Sequence, residues 1–392
     1  MRYSISVIRQ AINDPVMRRL AILFVLTRLV LLAAGLFGQS VLPPGKAITG
    51  NNLRLEHGVP RPLDIWARWD SEWYLLIAER GYDAGDAFSH LPVDYLQEDT
   101  AGFFPLYPLL IRTLTPIFGA VGAGILISNM ALLAALWLLQ LVSRNLWGDT
   151  FGARAGMIAG TVLLFFPFTL FHSAVYSESL FLALSLGTFL LAKKTRFGWA
   201  GLVAALATLT RPFGALLAIL LILEWWRQRH RSRWGWTAVG SVVLALGLYM
   251  LFCYGLFGDA LAFVHRQEHW RGSAGLPGVA FIRWWRAGPS LFGADSSTVD
   301  LGVALLFLAA LPTAFKRLRP SLAWYLTACV TLPLASTLWS FGRIASSFFP
   351  IFLLLGMMWA DGRSLAGKVW IAIGTVSAPL LMALFAAGYW IG

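Results

Sequence analysis

Residues 240–257 read GSVVLALGLYMLFCYGLF, eighteen positions without a charged side chain. A helix of about 20 apolar residues crosses the hydrocarbon core of a bilayer, so this stretch alone predicts a span. Residues 20–37 form a second apolar block, with Arg28 as its one charged residue. The rest of the chain has the composition that such blocks require. Of its 392 residues, 58% are hydrophobic and 13% are charged, about half the charged share of a soluble domain. A water-soluble enzyme is excluded, and an all-α polytopic membrane protein is predicted. Residues 1–20 are mixed polar and lack a small-residue cleavage site, so the first apolar block is expected to remain as a span.

The formal net charge is +12. The basic residues fall in short turns between apolar blocks rather than in a soluble domain. Arg9, Arg18 and Arg19 precede the first block, and Arg144 and Arg154 flank a turn. Lys193, Lys194 and Arg196 follow, then Arg227, Arg229, Arg231 and Arg233, then Lys316, Arg317 and Arg319, and finally Arg363 and Lys368. Placed together on the cytoplasmic side, they define about 11 spans. These lie near 20–38, 120–143, 152–172, 178–193, 197–210, 213–226, 235–257, 299–315, 321–340, 344–360 and 369–390. The amino end is then inside and the carboxyl end outside, with residues 1–392 forming one membrane-embedded domain. External loops are expected at 40–102, which carries 10 of the 19 acids, and at 258–298. Short cytoplasmic turns and the absence of a P-loop or GxGxxG leave no place for a nucleotide, and nucleic acid is not an expected partner. Cys253 and Cys329 both sit inside apolar blocks and are read as buried small hydrophobes.

Two stretches interrupt the pattern. Arg211-Pro212 divides an apolar run of residues 197–226 that is too short for two full crossings. Proline removes a backbone donor, and a mid-bilayer arginine is costly. Two short helices meeting at a recessed external pocket are therefore predicted, since broken backbone at that depth must line a polar cavity. Residues 103–119, with Pro105, Pro108, Pro116 and Arg112, are read as re-entrant or as lying on the outer surface. No internal repeat is evident, and the Arg211-Pro212 break has no visible counterpart later in the chain.

The strongest local signal is DIWARWDSEWYLLIAERGY, residues 64–82. At 100° per residue Trp66, Trp73, Tyr74 and Ile77 share a face, with Trp69 at its edge. Arg68, Glu72 and Glu79 fall opposite, toward water. This pattern predicts one helix lying flat in the outer interface. Asp70 falls amid the aromatic face. It is either a partly desolvated general base, raised toward working pH, or a helix-surface acid satisfied by a neighbouring arginine.

The other candidates are polar groups at predicted span ends. Glu178 would bind sugar hydroxyls or orient a substrate, or else it is an acid at a helix amino end beside the cap Ser177. Arg211 and Arg343 would each hold a phosphate or snorkel from a helix end. In the second external loop His265 and Arg266 would contact an anionic group, or the segment would rest on lipid headgroups. His265 and His269 lack a third ligand for a metal claim. Trp69, Trp73, Tyr107 and His172 are candidates for sugar or acceptor contact. One recessed acid, several recessed cations and many aromatics suit transfer of a group from a lipid phosphate to a hydroxyl. No cofactor is expected, no metal ligands are assigned, and the need for a divalent metal is open.

Five segments in order, RWDSEWYLLIAERGY (68–82), FFPLYPLLIR (103–112), SAVYSESLFL (173–182), ALATLTRPFG (205–214) and FGRIASSFFP (341–350), resemble the PIG-V family. These are mannosyltransferases of the glycosylphosphatidylinositol mannosyltransferase II type, including prokaryotic relatives. The resemblance implies a GT-C-type helical bundle with an outward or lumenal active site. It also implies a polyprenyl-phosphate mannose donor and an inverting transfer in which an acid of the first external loop is the base. Carried onto this sequence, that acid is Asp70. The chain departs from the commonest pattern after Arg343, where Ile344-Ala345 replaces an aromatic-rich stretch. The expected acceptor is a hydroxyl of a glycolipid or envelope glycan, and the expected location is a bacterial plasma membrane, with the endoplasmic reticulum as the alternative. A transporter or flippase for lipid-linked sugars is the rival reading.

Overall fold

The computed structural model describes residues 14–45, 57–83, 97–228, 232, 234–293 and 295–391. Arg9, Arg229, Arg231, Arg233 and parts of the expected first external loop (46–56, 84–96) lie outside the described residues, as does the His269 side chain. In chain order the helices are α1 Pro15–Val41, α2 Arg61–Asp64, α3 Asp70–Arg80, α4 Leu106–Phe118, α5 Ala120–Trp147 and α6 Asp149–Leu164. They continue with α7 Glu178–Lys193, α8 Phe197–Thr208, α9 Leu217–Arg227, α10 Gly235–Phe257, α11 Ala262–Arg271 and α12 Val279–Ala287. The last five are α13 Thr298–Arg317, α14 Pro320–Leu334, α15 Phe341–Ala345, α16 Phe349–Met358 and α17 Leu365–Ala386.

Each of the eleven expected spans contains one of these helices. Five of them, α1, α5, α10, α13 and α17, are long and apolar enough to cross a membrane, and the chain is a multi-pass membrane protein. The bundle is built from pairs packed side by side, α1 on α17, α5 on α6 and α7, α6 on α16, and α8 on α7 and α10. Close approach needs small residues. At Gly38 of α1 a Cβ would lie 2.4 Å from the Ala383 carbonyl oxygen of α17.

The basic turns gather at one end. Arg144 pairs with Asp14 (2.5 Å), Lys193 donates to the Asn145 carbonyl (2.7 Å), and Gln228 donates to that of Ala192 (2.9 Å). Arg319 pairs with the buried Glu224 (2.8 Å), which also accepts from Ser321. Glu178 begins α7 and Lys193 ends it. Sixteen helical residues rise about 24 Å, so Glu178 sits far from this basic end.

Arg211-Pro212 separates α8 from α9, as expected. Arg211 is extended (φ −155°, ψ 148°) and a short 3₁₀ turn, Pro212–Leu216, follows. A second break lies between α14 and α16. Around Arg343 the expected spans give way to Ser340 in the left-handed region and the five-residue α15. The break at Arg211 therefore has a counterpart, contrary to the sequence reading, and its supposed uniqueness no longer argues against a transporter. Residues 106–118 form a 13-residue helix, about 20 Å long, too short to cross the hydrocarbon core.

The aromatic segment differs most from expectation. It is not one helix: α2 ends at Asp64 and α3 begins only at Asp70, because the chain turns at Trp69 with φ 59° and ψ −117°, a conformation that is an outlier for so bulky a residue. A single helical wheel therefore misplaces its polar groups. Glu79 is exposed, but Arg68 and Glu72 are buried. Arg68 is enclosed because its guanidinium binds Asp64 (2.5 Å) and the carbonyls of Asp64, Ala67 and Ala386. Glu72 faces His57 at 3.5 Å. Cys253 and Cys329 are free and buried.

Candidate active site

Asp70 is the first residue of α3, and several bonds fix the turn that presents it. Trp69 Nε1 donates to the Tyr389 carbonyl (3.1 Å), and Arg68 Nε donates to Ala386 at the end of α17 (3.3 Å). Tyr176 donates from its hydroxyl to the Arg68 carbonyl (3.0 Å), and Val175 N–H to that of Trp66 (3.1 Å). The turn is thus stapled to the carboxyl end of α17 and to the segment leading into α7. A quarter of the Asp70 side chain (25%) is exposed, and Arg343 Nη1 donates to its Oδ2.

Arg343 comes from α15. Gly342 makes its approach possible, since a Cβ there would lie 2.2 Å from the Phe168 ring. The Gly342 N–H donates to Asp300 Oδ1 at 2.6 Å. The guanidinium lies over Phe171 (5.5 Å), Tyr176 (5.3 Å) and Trp390 (5.8 Å), an aromatic box that favours a desolvated cation. Its Nε lies 3.8 Å from Glu178 Oε1, and Arg211 Nη1 reaches the same oxygen at 2.6 Å. Four of the expected residues, Asp70, Glu178, Arg211 and Arg343, therefore form one chain of alternating charges across four segments.

Their access to a ligand differs. Asp70 is partly open and Arg211 slightly so (12%), whereas Glu178 is 1% exposed. Glu178 is placed as an internal counter-ion for two arginines, not as a surface for sugar hydroxyls. Arg343 is enclosed by Asp70, Glu178 and three rings, so it is committed to those groups instead of standing free for a phosphate.

The expected sugar contacts are placed differently again. Trp69 stays half-buried at the site, edge-on to Trp390 at 5.0 Å, and Trp390 in turn meets Trp339 at 5.7 Å. Trp73 stacks on Phe103 in the core (5.6 Å). Tyr107 is fully buried, its hydroxyl shared between the Gly124 carbonyl (3.0 Å) and Ser128 (2.8 Å). His172 is buried too. Its Nε2–H donates to the Ser346 carbonyl (3.2 Å), since a carbonyl only accepts, and Nδ1 shares a bond with Ser179 (3.0 Å). It joins the start of α7 to the turn after Arg343, so its role here is to brace the site. These three are core residues because the helices around them are broken and close-packed, which a helical wheel does not reveal.

In the segment 258–298 His265 is 55% exposed and pairs with Asp259 of the same segment at 2.6 Å. That hydrogen bond raises its pKa above the ordinary histidine value. It is tied to its own loop instead of reaching an anion site. Arg266 is half-buried on the same helix. The cation that α11 brings toward Asp70 is Arg271, whose Nη1 donates to the Trp339 carbonyl at 3.0 Å. The sequence reading above assigned it no role. Phe171, Trp339, Trp390 and Asp300 carried no signal in the sequence, because only tertiary packing brings them here.

The geometry is that of a carboxylate held beside arginines and aromatic rings in a membrane bundle. The family model described as "Mannosyltransferase (PIG-V)" matches residues 17–229, a little over half of the chain. Mouse GPI alpha-1,6-mannosyltransferase 2 is 30% identical over 182 residues, 44% of this chain and 33% of that protein. Drosophila melanogaster GPI mannosyltransferase 2 is 27% identical over 174 residues, 40% of this chain and 35% of that protein. The matches thus span about a third of each relative. Among solved structures, ArnT from Cupriavidus metallidurans, crystallised with undecaprenyl phosphate, superimposes with a TM-score of 0.53 at 18% identity, over 91% of this chain and 62% of that one. That likeness is one of fold. The family match over more than half of its length makes this chain a member of the PIG-V mannosyltransferase family.

Proposed function

We propose that the protein transfers a mannosyl residue from a polyprenyl-phosphate mannose donor to a hydroxyl of a glycolipid or envelope glycan, with inversion at the anomeric carbon. The acceptor hydroxyl gives its proton to the Asp70 carboxylate as its oxygen bonds to C1 of the sugar. The bond from C1 to the phosphate oxygen breaks, and its electron pair leaves with the lipid phosphate. The single observation that carries this reading is the Asp70 carboxylate, kept partly open at a fixed turn while Arg343 holds it from behind. A base must reach both the acceptor and a water-poor reaction centre, and this setting provides both. Arg343 is then a positioning residue, and Arg211, held by Glu178 but slightly open, faces the departing phosphate.

The reaction needs no nucleotide, in keeping with turns too short to house a nucleotide domain. The charge of those turns supports an outward-facing site with the amino end in the cytoplasm, and a bacterial plasma membrane is part of the proposal. The test is transfer of labelled mannose from polyprenyl-phosphate mannose to a membrane lipid extract by the purified protein, with determination of the product anomer. An α-linked product from a β-linked donor supports the proposal. Absence of transfer, combined with movement of intact lipid-linked sugar across proteoliposomes, refutes it in favour of the transporter.

A further inference from the structure

The charges of the candidate site are matched in pairs. Arg343 is met by Asp70 and Arg211 by Glu178, so the four groups sum to zero. A lipid phosphate entering this recess adds negative charge, and a buried anion without its own cation is costly.

A third cation stands beside the four. Arg271 is the last residue of α11. Its Nε donates to Gln267 Oε1 (2.9 Å) and its Nη1 to the Trp339 carbonyl (3.0 Å), both neutral acceptors. Among the described residues no carboxylate lies within ion-pair distance of it, while Asp70, Arg343, Arg211 and Asp300 lie within its electrostatic reach. Asp300 does not neutralise it by contact. That carboxylate is buried at the start of α13, where it accepts from the Gly342 N–H. Burial pushes the Arg271 pKa down to about 10, as expected for a cation that loses water without gaining an anion.

Its position is fixed from two sides. Arg283 of α12 donates to the Arg271 carbonyl (2.7 Å) and to that of Ser273 (2.8 Å). On the other side Trp339, whose carbonyl Arg271 grips, meets Trp390, the ring that covers Arg343. A guanidinium held through neutral acceptors, with its charge unmatched, is prepared for an anion.

We propose that Arg271 binds the phosphate of the lipid-linked donor and of the lipid-phosphate product, supplying the positive charge that the paired arginines have already spent on Asp70 and Glu178. This rests on the lipid-phosphate reading above and names the residue that recognises the anion. The full-length protein in zwitterionic nanodiscs is titrated with a polyprenyl phosphate and with the matching uncharged polyprenol, as wild type, Arg271→Gln and Arg271→Lys. Wild type should prefer the phosphate by roughly 30-fold, and Arg271→Gln should lose about tenfold of phosphate affinity with polyprenol binding unchanged. Arg271→Lys should recover part of the loss. An Arg271→Gln protein that binds the phosphate as tightly as wild type overturns the proposal. So does equal loss of both affinities in both variants, because that marks a structural role. Inorganic phosphate that displaces the lipid at similar concentration also overturns it, assigning the site to free phosphate. A wild type that does not distinguish phosphate from alcohol sinks the underlying lipid-phosphate reading instead.

Discussion

Asp70 and Arg343 stand 273 positions apart in the chain and meet as an ion pair, the acid a quarter exposed and the arginine almost enclosed. The asymmetry matters. The carboxylate keeps an open edge, while its partner is held by Glu178 and by three aromatic rings and has little freedom to leave. Around this pair the fold brings a stapled turn, two broken helices and the end of α17 to one place.

Glu178 should act as a structural counter-ion before anything else. It is buried, and it serves Arg211 at 2.6 Å and Arg343 at 3.8 Å. Removing one partner of a buried pair leaves an uncompensated charge, worth about 3–5 kcal/mol. Glu178→Gln should therefore lower the thermal unfolding midpoint in detergent by several degrees. A variant as stable as wild type but with a raised acceptor KM would instead return Glu178 to the sugar-contact role.

Gly342 should tolerate no side chain while Phe168 keeps its place. A Cβ would sit 2.2 Å from that buried ring, and overpacking of this kind costs about 1–3 kcal/mol. Gly342→Ala should lower both the unfolding midpoint and the transfer rate, because α15 carries Arg343. The double variant Gly342→Ala/Phe168→Leu makes room and should restore much of the rate. If the double variant is no better than the single one, the contact is not what positions Arg343.

His57 predicts a pH dependence of stability. Burial pushes its pKa down, but the hydrogen bond to Asp64 and the nearby Glu72 carboxylate outweigh burial and raise it to about 9. A raised histidine contributes fully below its unfolded value, near 6.5, and the contribution is lost as pH rises through the folded value. Asp64 is held below the usual carboxylate range against the opposing effect of burial, by His57 and Arg68. Its contribution is present above its ordinary pKa and fades only in strong acid. The wild type should therefore lose stability between pH 7 and pH 9.5, by at most about 3 kcal/mol. His57→Gln should show a flatter profile over that range, as read by unfolding midpoints at each pH. Parallel profiles would show that the His57 cluster does not carry this dependence.

Much of the fold could be read from the sequence, because a bilayer sets a length and a hydropathy that blocks such as 240–257 must meet. The break at Arg211-Pro212 was legible for a local reason, proline's missing donor beside a charge. The turn at Trp69 was not, since a periodicity of 100° assumes an unbroken helix, and Glu72 and Arg68 were assigned to water on that assumption. Asp70, Glu178, Arg211 and Arg343 each stood out as polar residues in apolar surroundings. Their convergence, and the enclosure of Tyr107, Trp73 and His172, follow from how helices distant in sequence pack. No local pattern encodes that packing. Around Arg343 the sequence showed a boundary between spans ending at 340 and starting at 344, but not the five-residue α15, because the flanking segments are as apolar as true spans.

Catalysis turns on whether the open edge of Asp70 takes a proton. Asp70→Asn keeps the shape of the side chain and removes the base, and general-base loss costs about 10²–10⁴-fold in rate. With purified protein and labelled polyprenyl-phosphate mannose, transfer by Asp70→Asn should fall by that factor, while polyprenyl phosphate binds at least as tightly as to wild type, since Arg271 is untouched and Arg343 has lost its paired anion. Transfer at the wild-type rate by this variant would contradict the account.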